Sequence, residues 1–64
     1  MCKYSFIFKN TDENKDYFKA IKCTELVITP LSDDFKKVTI IEENEAKLEK
    51  VILNNYGIID AMLS

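Results

Sequence analysis

The stretch from Glu42 to Ser64 constrains the fold more than any other, because its apolar residues recur at helical spacing without a break. With Leu48 set at zero on a helical wheel, Val51, Ile52, Tyr56, Ile58, Ile59, Met62 and Leu63 all fall within about eighty degrees of it. Lys47, Lys50, Asn54, Gly57 and Asp60 fall on the opposite side. The pattern predicts a helix from about Glu45 to Leu63. Asn44 is placed to cap its first turn, and Glu42, Glu43 and Glu45 lie where the positive end of the helix dipole favours carboxylates. Glu43 and Lys47 have the spacing of a helical ion pair.

Gly57 leaves two readings for the end of this helix. As the residue after the last turn it would stop the helix at Tyr56; as an exposed interior residue it would let the helix continue, with a kink. The unbroken stripe favours continuation. The stripe spans roughly 160 degrees, more than the roughly 100 degrees with which one helix covers one core.

That excess matters in so short a chain. Sixty-four residues form one domain, and a chain of this size buries only about 60% of the surface its unfolded form exposes. A lone core of these dimensions rarely supplies more than about 3–5 kcal/mol. With 47% hydrophobic residues, one Gly and one Pro, the composition is that of a folded domain and not of a disordered tail.

The rest of the chain reads as strands and loops. Lys3 to Lys9 alternates Tyr4, Phe6 and Phe8 with Ser5 and Ile7, which predicts a strand with a buried aromatic face. Asn10 to Asp16 is wholly polar, and residues 11–22 admit two readings. In one, Thr11 caps a short helix with Asp12 and Glu13 in its first turn and Tyr17, Phe18 and Ile21 facing inward. In the other, the polar run closes a hairpin and Tyr17 to Cys23 is a strand. The strand reading is preferred, because the polar run offers a helix no apolar residue to bury over its first turns. Glu25 to Thr29 is a strand closed by Pro30, and Lys37 to Glu42 alternates Val38 and Ile40 against Thr39 and Ile41 after a loop containing Ser32, Asp33 and Asp34. Their short connection predicts an antiparallel hairpin. The expected fold is α+β: a small three-stranded antiparallel sheet packed by one C-terminal helix, with the short helix at 11–22 as an addition.

Composition narrows the function classes. The chain has no His and no Arg, so Ser–His and Cys–His pairs are absent, and so is the bidentate guanidinium fork of phosphate recognition. One Gly excludes glycine-rich phosphate loops. Glu42–Glu43 and Asp33–Asp34 read as cap and turn residues and not as catalytic pairs. Two distant Cys without His do not make a metal site, and free thiols in a reducing cytosol are the expectation for Cys2 and Cys23. Neither a secretory signal nor a membrane span is expected. The Lys-, Ile- and Asn-rich usage suggests an AT-rich genome, as in low-GC bacteria and their phages and plasmids.

Charge is unevenly divided: residues 1–23 carry five lysines and three acids, net +2, and residues 24–64 carry four lysines and eight acids, net −4. Lysines 3, 9, 15, 19 and 22 interleave with Tyr4, Phe6, Phe8, Tyr17 and Phe18, a pattern that suits single-stranded nucleic acid only if the rings are exposed. An acidic second half that mimics a nucleic-acid backbone is disfavoured by the small net charge of −2.

The expectation is therefore a non-enzymatic regulatory or inhibitory module without cofactor, which associates through its C-terminal helix with another protein or with a second copy of itself. The residues expected to carry the association are Asn55, Ile58, Ile59, Met62 and Leu63. Asn55 lies inside the apolar stripe. Its amide either reaches solvent or a backbone carbonyl at the edge of the packing, or fixes register in a helix–helix contact.

Overall fold

In the computed structural model, which describes residues 1–63, the chain runs β1 (Cys2–Lys9), α1 (Asp12–Ala20), β2 (Glu25–Pro30), β3 (Phe35–Glu42), α2 (Glu45–Asn54) and α3 (Tyr56–Leu63). The three strands form an antiparallel sheet in the order β1-β3-β2, so the last strand in sequence is central and the other two flank it. Registers such as Phe6 opposite Val38 and Ile28 opposite Val38 put alternate residues of all three strands on one face. The helices lie on that face. Phe6, Phe8, Val38 and Ile40 meet Ile21, Ile59 and Met62 there, with Val38 and Ile40 fully enclosed.

Residues 11–22 contain a helix and not a strand. Thr11 caps it, its hydroxyl accepting the Asn14 N–H at 3.2 Å, as the Thr-capped reading expected. The preference for a strand failed because Asn14 itself fills the role of the missing apolar residue. Its side chain is buried, and its amide donates to the Lys9 carbonyl at 2.7 Å, tying the first turn of α1 to the end of β1.

Asn44 caps α2, its side chain accepting the Lys47 N–H at 2.9 Å. The helical stretch does continue past Gly57, but it breaks earlier, at Asn55, whose φ of −111° and ψ of 11° lie outside the helical region. Gly57 sits in ordinary helical structure within α3, and a Cβ placed there would meet no atom within 4 Å. The predicted single helix is thus two helices that bend over the sheet. α2 lies on β3 and β1, while α3 lies on β1 and against α1.

Candidate surface for protein contact

The wide apolar stripe is divided by the bend at Asn55. Its middle faces the sheet: Ile59 and Met62 are buried, and Leu48, Val51 and Ile58 pack around them half-buried. Its margin faces outward. Tyr56 is 62% exposed and Leu63 52%, and Leu53, which lies outside the stripe on a straight wheel, is 74% exposed. Leu53, Tyr56 and Leu63 stand three and seven residues apart along the outer side of α2 and α3, with Asp60 between the last two. No single buried role accounts for three large apolar side chains on this margin.

Of the five residues expected to carry association, Asn55, Ile59 and Met62 are interior to the monomer, at 4%, 4% and 2% exposed. Ile58 is half-buried against the core, and Leu63 alone is on the surface. Asn55 spends its amide within the chain. Its Oδ1 accepts the Lys22 N–H at 3.0 Å, and its Nδ2 donates to the carbonyls of Lys22 at 3.0 Å and Val51 at 2.7 Å. Sequence reasoning missed Leu53 because the wheel assumes an unbroken axis. No local signal marked it, because the break at Asn55 lies between Leu53 and Tyr56.

A second open surface is the sheet face turned away from the helices. Ile7, Val27 and Phe35 are exposed on it and Ile41 is half-buried, among Lys3, Lys9, Lys37 and Glu25. Ser5 and Thr39 share a hydroxyl hydrogen bond of 2.9 Å at its centre. The aromatic face of β1 is turned the other way, with Phe6 and Phe8 in the core and Tyr4 beside them. The lysines of β1 therefore lack its rings as stacking platforms.

The acidic pairs have structural partners or none. Both oxygens of buried Glu42 are held by Thr24, through its N–H at 2.7 Å and its hydroxyl at 2.8 Å. Glu43 is exposed and bonded to Lys47, whose ammonium holds the Glu43 carboxyl below its ordinary value. Asp33 and Asp34 are exposed loop residues. Cys2 and Cys23 are free thiols, and burial, reinforced by the neighbouring Glu42 carboxylate, pushes the Cys23 thiol up. Among the described residues, no group of three or more His, Cys, Asp or Glu is gathered as a metal site, and no helix is long and apolar enough to cross a membrane.

No protein-family model, curated protein or solved structure matches this chain.

Proposed function

We propose that this chain is a non-enzymatic module that works by binding another protein or a second copy of itself, with the outer margin of α2 and α3 as the contact. The observation that carries this reading is the row of Leu53, Tyr56 and Leu63, each more than half exposed, beside a core that is already closed by Ile59 and Met62. An exposed apolar row on a small domain is the usual mark of a surface that is covered in use. A Tyr flanked by aliphatic residues is also the kind of side chain that dominates interface energies. A regulatory or inhibitory role fits a chain of this size.

Nucleic-acid binding by the N-terminal half has less support, because the rings of β1 face the helices.

The test pairs a solution mass with a surface variant. The doubly substituted chain Leu53→Asp/Tyr56→Asp is expected to keep the helical signal and thermal transition of the parent. It is also expected to lose whatever association the parent shows, whether dimerisation or retention of a partner from host extract. Association unchanged in the folded variant would remove the α2–α3 margin from the reading.

A further inference from the structure

We infer that the cleft between α1 and the β2–β3 hairpin is a binding site for a small organic anion with an apolar body, a medium-chain carboxylate being the simplest member of that class. The cleft follows from how α1 is fastened. At its start Asn14 is tied to the Lys9 carbonyl, and beyond its end Ile21 enters the core while Lys22 is clamped by Asn55. Between these two points α1 leans on α3 and leaves the neighbouring part of the sheet open. What remains is a hollow of about 230 Å³, with Phe8, Phe18 and Ile28 as its apolar walls and Lys15, Lys19 and Lys36 around them.

The charge in this hollow is one-sided. Lys36 is half-buried on the central strand, between Phe8 and Pro30, and points to the helical side of the sheet. Among the described residues neither Lys36 nor Lys19 forms an ion pair, and Lys15 reaches only the fully exposed carboxylate of Asp12, at 3.6 Å. Three lysine side chains beside apolar walls, with no acid among the described residues lining the hollow, complement a ligand that brings one negative charge and a greasy body. Either half alone gains little. An exposed ion pair changes affinity by no more than about fivefold, and the hollow is smaller than the roughly 300–1,000 Å³ of a drug-sized site, so a neutral apolar body has little area to bury.

The experiment is a titration of the full chain with octanoate, followed by the backbone amide signals, with octanol and acetate as the two half-ligands. Octanoate is expected to move the signals of residues 15–19, Ile28 and Lys36 saturably, while octanol and acetate each bind at least tenfold more weakly. The variant Lys19→Gln/Lys36→Gln, which changes exposed and half-exposed side chains and keeps the fold, is expected to raise the octanoate Kd by roughly tenfold, the product of two pairs worth threefold or more each. Affinity for octanol equal to that for octanoate, or an unchanged Kd in the folded double variant, would overturn the assignment. So would shifts confined to the α2–α3 margin.

Discussion

The side-chain amide of Asn55 pairs with the backbone of Lys22 as a neighbouring strand would, accepting the Lys22 N–H and donating to the Lys22 carbonyl, both at 3.0 Å. The two residues are thirty-three positions apart. The pair joins the connection after α1 to the bend between α2 and α3, and it places the polar residue of the apolar stripe where its polarity is satisfied. Truncating it leaves two backbone groups of Lys22 without their partner, at about 1–3 kcal/mol for each group that water does not reach. Asn55→Ala is therefore expected to lose about 2 kcal/mol in urea denaturation.

Asn55→Asp separates the donor from the acceptor role. The substituted carboxylate can still accept the Lys22 N–H, but it faces the carbonyls of Lys22 and Val51, to which the amide donated. Burial and those carbonyl dipoles raise its folded-state pKa above the unfolded value. The penalty is then absent below the unfolded carboxyl range and grows as pH rises through it. Urea midpoints measured across the acid range are expected to converge on the parent at low pH and fall behind it at neutrality.

Gly57→Ala is expected to stabilise the chain. Gly57 is helical with no positive φ, and nothing lies within 4 Å of the added methyl group. Alanine restricts the unfolded chain and improves helix propensity by up to about 1 kcal/mol. In a domain of this size that raises the melting temperature by about 4–8 °C. A drop in the melting temperature would mean that the glycine serves a close approach not apparent in the monomer.

The elements that were legible in the sequence are those whose signal is local. Asn44 as cap, the Glu43–Lys47 pair and the alternation of Phe6 and Phe8 each depend on residues within a turn or a strand, and each appears where the spacing placed it. The helix at 12–20 was undervalued, because the burial of Asn14 depends on the Lys9 carbonyl and periodicity counts only apolar side chains. The bend at Asn55 was invisible for a similar reason, since it is coupled to Lys22 in a distant loop while Gly57, the residue that attracts suspicion by type, is undisturbed. The outer margin with Leu53 became readable only once the bend was known.

The pH inflection of Cys23 alkylation by iodoacetamide is expected to lie above that of an ordinary thiol, since burial first and the Glu42 carboxylate second both oppose its ionisation. Glu42→Gln removes the smaller cause. The inflection of the Cys23 rate against pH is expected to move down in that variant without reaching the value of an unfolded thiol. The sign for stability follows: the raised folded-state pKa costs nothing below the unfolded thiol pKa, and stability falls as pH rises through the interval above it. A Cys23 inflection at or below that of the denatured chain would contradict the burial of the thiol.

The difference between the middle and the margin of the stripe is open to a direct comparison on one helix. Ile59 is 4% exposed among Phe6, Val38 and Met62, and Leu63, one turn further along α3, is 52% exposed. Ile59→Asp brings an unpaired carboxylate into the core, a loss of more than about 3 kcal/mol, which matches most of the roughly 3–5 kcal/mol such a core supplies. Circular dichroism is expected to find that variant largely unfolded at room temperature. Leu63→Asp changes a half-exposed side chain at the negative end of the α3 dipole and is expected to cost no more than about 1 kcal/mol. If both variants unfold, α3 is packed along its whole outer end and the margin is not free to bind. If only Ile59→Asp unfolds, the helix closes the core with one side and has the other available, and Leu63→Asp becomes a folded protein in which association can be measured separately from stability.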